Sequence, residues 1–187
     1  MSATGSRISI AESRRPVVAA AALSRFAEGG FHGTTVSDVA DEAKISPAYV
    51  FKLFPGKEAL FVAAVELCFA EVLEALERGA DGSEGQSPGR ILDAMGGAYA
   101  ELISDRRLLM LQVHAQSVAE IPAIGAALRA GLASITRFAK TRSRGSDDQV
   151  QRFIAFGQLC HLVVTAGLDE LPDEWAGILT HNLRHPH

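Results

Sequence analysis

The sequence predicts an all-α protein, with an N-terminal three-helix domain that contains a helix-turn-helix and a C-terminal domain of further helices. Three observations support this fold class. Apolar residues recur at helical spacing, valine and isoleucine never form the alternating runs of strands, and alanine and leucine are the commonest residues. With 187 residues, 48% of them apolar, the chain is long enough for two small helical domains.

Two polar linkers organise the chain beyond the first domain. Residues 79–89 are rich in glycine and end in Pro88–Gly89, and residues 141–148 form a second break. We expect residues 12–72 to form the N-terminal domain and residues 73–187 the C-terminal domain. The helices predicted after the first domain's helix-turn-helix are 57–78, 90–104, 106–119, 122–140, 149–168 and 172–183.

The first helix is predicted over residues 13–28. Its apolar positions are Val18, Ala22, Leu23 and Phe26. Gly29 and Gly30 should end this helix, one of them in the left-handed conformation, and Phe31 should then fold back into the core. Residues 1–12 are rich in Ser, Gly, Ala and Thr, which predicts a mobile arm.

A helix-turn-helix is predicted over residues 35–54. Thr35 is a good N-cap and Asp38 can reach back to it, as in a capping box, so a short helix begins there. Ser46 is a second N-cap and Pro47 suits the first helical position, so a second short helix follows after a tight turn. Two helices joined in this way form the unit that places its second helix in the DNA major groove.

The helical spacing also predicts which side chains form the core of this domain. Val50 and Phe54 share one face of the second helix, whereas Ala48, Tyr49 and Lys52 remain outside. The expected core is Val18, Ala22, Phe26, Phe31, Val36, Val39, Ala40, Ile45, Val50 and Phe54.

The same stretch resembles the DNA-binding domain of the TetR family of transcriptional regulators. The matching elements keep their order and spacing: Phe26–Ala27–Glu28, Gly30–Phe31, Thr34–Thr35, Val39–Ala40, Ile45–Ser46, Phe54 and Lys57–Glu58–Ala59–Leu60–Phe61. After about residue 72 the resemblance is no longer informative, because the C-terminal parts of this family diverge. It implies a regulator, by default a repressor, that a small-molecule ligand releases from its operator.

The resemblance implies a DNA surface at the second helix and its flanks. The positions are Thr35, Ser46, Pro47, Ala48, Tyr49, Phe51, Lys52 and Lys57, with Leu53 at or near the same surface. Lys44 and Ala48 replace glycines common in the family, and Phe51 and Leu53 replace a common Tyr and His. Phe51 lacks the hydroxyl that would bond a phosphate, and Lys52 could supply another contact. We expect these changes to alter affinity and sequence preference.

Charge is distributed in a way that is consistent with this surface. The chain has a net charge of −4, but residues 1–61 hold seven Lys and Arg against six Asp and Glu. A DNA-binding face needs local positive charge rather than a basic whole. Arg14 and Arg15 are interpreted first as a solvated helix start, and second as contacts to phosphates or a minor groove.

A ligand site is predicted among the middle helices, where the family usually binds its effector. Met95 and Tyr99 share one helix face, and Met110 and His114 share another, with Gln112 and Gln116 beside them. Such apolar residues with a few polar anchors are typical of small-molecule pockets. The alternative is that the methionines fill a core and that Tyr99 and His114 form internal hydrogen bonds.

The last two helices are predicted to form a homodimer. Residues 149–168 carry more apolar side chains than one exposed helix should, among them Phe153 and Phe156, and residues 172–183 add Trp175 and Ile178. These two helices can form half of an intermolecular four-helix bundle. A two-fold dimer would bind a palindromic site in double-stranded DNA.

Other classes of function have weaker support in the sequence. No phosphate loop or HExxH motif is present, so we expect no enzyme and no cofactor. The C-terminal His181, His185 and His187 are interpreted as a frayed tail rather than a metal site. Cys68 and Cys160 lie in apolar segments, and neither a signal peptide nor a long apolar run is evident, so we expect a cytoplasmic protein without a membrane span. The remaining alternative is a helical ligand-binding or scaffold protein without specific DNA recognition.

Overall fold

A computed structural model describes residues 10–83, 85–181 and 183, and its secondary structure there is entirely helical. The nine α-helices of this described part are α1 (Ile10–Gly33), α2 (Val36–Glu42), α3 (Pro47–Leu53), α4 (Lys57–Ala80), α5 (Pro88–Leu102), α6 (Arg106–Ser117), α7 (Pro122–Ser143), α8 (Asp147–Ala166) and α9 (Glu174–Thr180). A short 3-10 turn, Leu168–Glu170, lies between α8 and α9. The all-α prediction is therefore confirmed.

Helix α1 begins earlier than expected, and it is interrupted at Gly30, where the prediction ended it. It begins at Ile10, so residues 10–12 of the predicted arm are helical, and residues 1–9 lie outside the described residues. The helix continues to Gly33 across a kink at Gly30, whose φ of 64° is the left-handed conformation predicted for one of the two glycines. The chain bends here and then leads into α2.

The core of the N-terminal domain forms where α1, α2 and α3 meet. Of the predicted core residues, Phe31, Val36 and Ile45 are partly exposed and pack against the core, and the others are buried. The ring of Phe61 on α4 contacts Phe26 and Phe31 edge-on, at centroid distances of 4.8 and 5.4 Å. These contacts fix the start of α4 to the three-helix domain.

Helix α4 connects the two parts of the molecule. At about 1.5 Å per residue, its 24 residues span roughly 36 Å. It is buried along its length, from Leu60 and Phe61 at one end to Leu76 and Ala80 at the other. It packs against α1 in the N-terminal domain and against α5 and α7 in the C-terminal domain.

The C-terminal helices follow the prediction with shifted ends. Helix α5 begins at Pro88, which occupies a first-turn position, and α8 begins at Asp147 because Ser146 and Gln149 form a capping box. Helix α9 is shorter than predicted: it begins at Glu174, after Asp173 at the N-cap position, and ends at Thr180. No helix in the described ranges has the length and apolar character that crossing a membrane requires.

Candidate nucleic-acid interface and ligand cavity

The start of α2 is fixed by a reciprocal capping box. The backbone N–H and hydroxyl of Thr35 donate to Oδ2 of Asp38 at 2.7 and 2.8 Å, and the Asp38 N–H donates back to Thr35 Oγ1 at 3.2 Å. The two bonds that Thr35 donates hold the pKa of Asp38 below its usual value. The hydroxyl of Thr35 is therefore engaged in holding the helix.

The turn between α2 and α3 is a Schellman motif centred on Lys44. The Lys44 N–H donates to the carbonyl of Asp41 at 3.1 Å, and the Ile45 N–H donates to that of Ala40 at 3.0 Å. Lys44 has a φ of 55°, which is the left-handed conformation that glycine adopts most readily. This geometry would suit the glycine that the family resemblance implies at position 44.

Helix α3 presents a small exposed face. Ser46 caps it by accepting a hydrogen bond from the Tyr49 N–H at 3.2 Å, and Pro47 follows in the first turn. Ser46, Pro47, Ala48, Phe51 and Lys52 are exposed, and Tyr49 is partly buried against the core. Phe51 is 55% exposed, which is high for a phenylalanine and leaves its ring accessible.

Leu53 does not share this exposed face. Its side chain is only 4% exposed and belongs to the core of the domain, together with Val50. The expectation that Leu53 lies at or near the DNA surface is therefore corrected. The reason is local: Leu53 follows Val50 by three residues, so both side chains lie on the inner face of α3.

Arg15 holds the end of α3, a role that the sequence reasoning missed. Its Nη1 donates to the carbonyl of Leu53 at 2.6 Å, and its guanidinium lies 4.5 Å from the ring centroid of Phe54. A cation at a helix C-terminus also interacts favourably with the helix dipole. The guanidinium therefore contacts the recognition helix instead of being only a solvated charge.

Lys57 begins α4 and contacts the end of α1. Its Nζ lies 3.5 Å from the carbonyl oxygen of His32 and 4.7 Å from the ring centroid of Phe31. Gly56 precedes it as an N-cap without a side-chain hydrogen bond. The first N–H groups of α4 consequently have no side-chain cap, which suits an anion such as a phosphate.

A cavity of about 670 Å³ lies in the C-terminal domain. It is lined by residues of α4, α5, α7 and α8, together with Gln112 of α6 and Leu183. Most of the lining is apolar, with Leu76, Leu92, Ile135 and Phe153 as examples. Its volume lies within the range of roughly 300–1,000 Å³ that is usual for small-molecule sites.

The structure separates the four residues predicted to bind a ligand. Tyr99 lines the cavity, whereas Met95 is fully buried in the core and is not among the lining residues. Met110 and His114 also lie outside the lining. His114 instead faces the kink of α1, where a Cβ added to Gly30 would lie 3.0 Å from its Nδ1.

A buried polar cluster adjoins the cavity. The hydroxyl of Tyr99 lies 2.7 Å from Nε2 of His161, and Nε2 of Gln112 donates to Tyr99 Oη at 3.3 Å and to the carbonyl of Leu108 at 3.1 Å. Burial raises the pKa of Tyr99 and lowers that of His161 to about 4. Both side chains are therefore neutral at pH 7. The contacts of Tyr99 match the predicted alternative of internal hydrogen bonding.

The last helices expose several large apolar side chains. Phe156 and Leu162 on α8, Leu171 in the connection, and Trp175 and Ile178 on α9 all have much of their surface open to solvent. Ile178 is the most exposed of them, at 70%. Large exposed apolar side chains of this kind are the type of surface that contacts between protein chains bury.

The fold and this site together define a class, that of all-helical proteins with an N-terminal helix-turn-helix. Residues 18–64 match the family model of the tetR family of bacterial regulatory proteins. The transcriptional regulator RutR of Escherichia coli K12 is 36% identical over 62 residues, which are 33% of this chain and 29% of RutR. Residues 18–64 therefore match the DNA-binding domain of this family, and the matched segment spans less than a third of the length of RutR.

Solved structures share the fold over nearly the whole chain. A transcriptional regulator from Rhodococcus sp. superposes with a TM-score of 0.70 at 22% identity, over 88% of this chain and 90% of the other. FadR of Bacillus subtilis, solved in complex with stearoyl-CoA, superposes with a TM-score of 0.68 at 15% identity, over 92% and 99%. At these identities the likeness concerns the fold, and it covers the C-terminal helices that the sequence match to RutR does not reach.

Proposed function

We propose that this protein is a sequence-specific transcriptional repressor that binds a palindromic operator as a homodimer and leaves it when a small molecule binds. The observation that carries the proposal is the position of α4. Its first turns pack on the helix-turn-helix domain, where Phe61 contacts Phe26 and Phe31, and Val72 and Leu76 further along line the cavity. One rigid helix therefore contacts both the DNA reader and the ligand site.

The reading surface is the exposed side of α3 with its flanks. Ala48, Phe51 and Lys52 face solvent, Tyr49 is partly exposed, and the helix is held by the Ser46 cap at one end and by Arg15 at the other. Lys52 forms no ion pair with any described residue and is available to a phosphate. Thr35, Ser46, Pro47 and Lys57 complete the proposed DNA contacts, as backbone-positioning groups at the two helix starts.

The proposed switch changes the distance between the two recognition helices of the dimer. A ligand shifts such an equilibrium only by its differential affinity for the two forms. Ligand in the cavity would contact α4 directly, and α4 packs on α1 of the reader domain. That FadR, a protein of the same fold, was solved with stearoyl-CoA supports a small-molecule effector for this chain also.

The proposed dimer forms through the last two helices, residues 149–168 and 172–183 as predicted from the sequence. The exposed side chains of Phe156, Leu162, Trp175 and Ile178 support this surface. A single short recognition helix reads few base pairs, so two copies on a two-fold axis would supply the affinity and the palindromic preference. Such a regulator would act in the cytoplasm, where bacterial chromosomal DNA is found.

Selection of DNA from a random library tests this function. We expect the purified protein to enrich a palindrome with two half-sites. Phosphate attraction alone would bind DNA without enriching any sequence, so enrichment is the measurement that discriminates. If no sequence is enriched, the alternative of a ligand-binding or scaffold protein without specific recognition replaces the proposal.

Two variants assayed on the selected site divide its contacts into two kinds. Tyr49→Ala should weaken binding to the selected site by about tenfold and leave random DNA nearly unchanged, because it removes a base-reading side chain. Lys57→Ala should weaken binding to both DNAs equally, because a phosphate contact does not depend on sequence. Gel-shift titrations give the affinity of each variant, relative to the unchanged protein, for the selected site and for random DNA. Equal losses for the two variants on both DNAs would contradict these roles.

A further inference from the structure

Gln112 is a buried amide in the wall of the cavity, and its orientation is fixed. The side chain is only 5% exposed, and its Nε2 donates to the Leu108 carbonyl at 3.1 Å and to the Tyr99 hydroxyl at 3.3 Å. A carbonyl oxygen can only accept a hydrogen bond, so the amide nitrogen must face Leu108. The amide oxygen, Oε1, therefore points away from both partners.

This oxygen is an unused acceptor. Gln112 Oε1 accepts no hydrogen bond within the part of the chain that the structure describes. Unlike Nε2 of His114 and Nδ1 of His161, which are unpaired and fully buried, it keeps a small accessible surface. Gln112 lines the cavity, and Nε2 is directed at Leu108 and Tyr99, so we infer that Oε1 is the polar atom that faces that space. A nearly buried acceptor without a donor costs free energy, which a bound donor would recover.

The neighbouring polar groups cannot supply that donor. Tyr99 Oη has one proton, and His161 Nε2, at 2.7 Å, is the acceptor within reach of it among the described residues. Tyr99 therefore donates to His161 while it accepts from Gln112. Since burial keeps His161 uncharged at pH 7, this inner wall carries no net charge.

The rest of the lining separates into an apolar interior and a charged rim. Leu76, Leu92 and Phe153 surround the space beside Gln112. The charged lining residues, Asp93 and Arg152, are exposed, and Arg152 is already paired with Asp148 at 3.1 Å. An ionised group beside Gln112 would thus be desolvated without an opposite charge, which is costly.

We propose that the cavity binds an uncharged, largely apolar molecule whose hydroxyl or N–H group donates a hydrogen bond to Gln112 Oε1. This inference rests on the proposed function, in that the cavity is taken as the effector site. A carboxylate at this position would meet an acceptor oxygen and no free donor. An ammonium would find one acceptor but no anion, so both are disfavoured relative to a neutral donor.

Three naphthalene probes of similar size test the ligand class by titration calorimetry. They are 2-naphthol, which carries a donor, 2-methoxynaphthalene, which carries none, and 2-naphthoate, which is anionic. We expect 2-naphthol to bind about tenfold more tightly than 2-methoxynaphthalene, the effect of one hydrogen bond to a buried acceptor, and 2-naphthoate to bind most weakly. Equal affinities, a preference for 2-naphthoate or no binding of any probe would overturn the proposal.

A matched pair of variants assigns the preference to Gln112. Gln112→Met keeps the length of the side chain but removes the acceptor, so the preference for 2-naphthol should disappear. Gln158→Met changes another lining glutamine whose Oε1 already accepts from Gln116 Nε2 at 2.9 Å, so the preference should remain. A preference that survives Gln112→Met in a folded protein would overturn the assignment.

The outcome is separable from that of the proposed regulator. DNA selection does not involve the cavity. If a palindrome is enriched but the three probes bind with equal affinity, the ligand class is rejected and the proposed regulator function stands. If Gln112→Met does not fold, as judged by circular dichroism, the wild-type probe series still decides between a neutral donor and the other two classes.

Discussion

Lys44 occupies a backbone conformation that costs free energy. A residue with a Cβ pays about 1–2 kcal/mol in the left-handed region, and Lys44 adopts it to complete the Schellman motif. We expect Lys44→Gly to stabilise the protein by about 0.5–1 kcal/mol, because relief of strain exceeds the greater entropy of glycine in the unfolded chain. Urea unfolding measures the change.

Lys52→Gly is the control for this prediction. It is the same substitution at an exposed position inside a right-handed helix, where glycine is unfavourable by about 1 kcal/mol. The two variants should therefore shift the free energy of unfolding in opposite directions. A loss of stability in both would show that the conformation of Lys44 carries no strain.

Arg15 should matter for DNA binding without touching DNA. Arg15→Ala removes the hydrogen bond to the Leu53 carbonyl and the contact with the Phe54 ring. We expect a loss of about 1–2 kcal/mol in stability, from one charge-assisted hydrogen bond and one cation–π contact at a partly exposed site. Thermal unfolding and affinity for the selected operator are the measurements.

The neighbouring arginine offers a control of equal charge. Arg14 is exposed, so Arg14→Ala changes the net charge by the same amount as Arg15→Ala. If the two variants lose the same stability and the same affinity, Arg15 acts only through its charge and not by holding α3.

Local signals could be predicted at the scale of single residues, and distant contacts could not. The Thr35 capping box and the Ser46 cap follow from residues three apart, and both are confirmed. The partner of Arg15 lies 38 residues away, and Gln112 meets Tyr99 only after two helices have packed. Neither pairing leaves a pattern in the sequence, because each depends on tertiary packing.

At the scale of elements, helices α4 and α7 are in close contact at Gly131. A Cβ added to Gly131 would lie 2.2 Å from Cδ2 of Phe69, whose ring is buried. Gly131→Ala should destabilise the protein by about 2 kcal/mol, although alanine is the better helix former, because overpacking outweighs propensity. Chemical denaturation monitored by circular dichroism measures this loss.

Gly96→Ala in α5 separates packing from propensity. The added Cβ would lie 3.9 Å from Phe153, an ordinary contact distance. This variant should be neutral or more stable by up to about 1 kcal/mol. If Gly131→Ala behaved in the same way, the close approach of α4 and α7 would be wrong.

The ends of helices were predictable where a cap or a proline marks them. Ser46, Pro47 and Pro122 all begin helices as expected. Helix α9 differs because Pro172 is a starting signal that the chain does not use: Asp173 occupies the N-cap position and the helix ends after two turns. Such an exposed, short helix depends on what it packs against, which the sequence of the element does not contain.

At the scale of the whole molecule, the proposed dimer makes Ile178 a sensitive position. Its side chain is 70% exposed, and a dimer would bury it. Ile178→Glu should shift the protein to a monomer and weaken operator binding at least tenfold, because a buried charge without a partner is costly. Analytical ultracentrifugation over a concentration series shows the shift.

Val17→Glu provides a comparison outside the proposed interface. Val17 is an exposed apolar residue of α1, 48% accessible, and the same substitution there should leave the dimer intact. Dissociation caused by both variants, or by neither, would contradict an interface through the last two helices.

The all-helical fold was predictable from the sequence, but the lining of the cavity was not. Helical spacing shows which residues share a face of α5 or of α6. It does not show which of these faces lines the cavity and which packs into the core. The bundle turns Tyr99 and Gln112 toward the cavity, leaves Met95 in the core and places His114 against the kink of α1. The choice depends on how five helices pack, which is a property of the assembled domain.

The hydrogen bond between Arg15 and the carbonyl of Leu53 has a practical consequence for designing a shorter DNA-binding fragment. The segment shared with the family model starts at residue 18, after this arginine. A minimal fragment cut to those shared limits would include every base-reading side chain but lack the group that secures their helix. Weak DNA binding by such a fragment would then reflect the loss of the Arg15 contact that holds α3, rather than a poor fit to the operator.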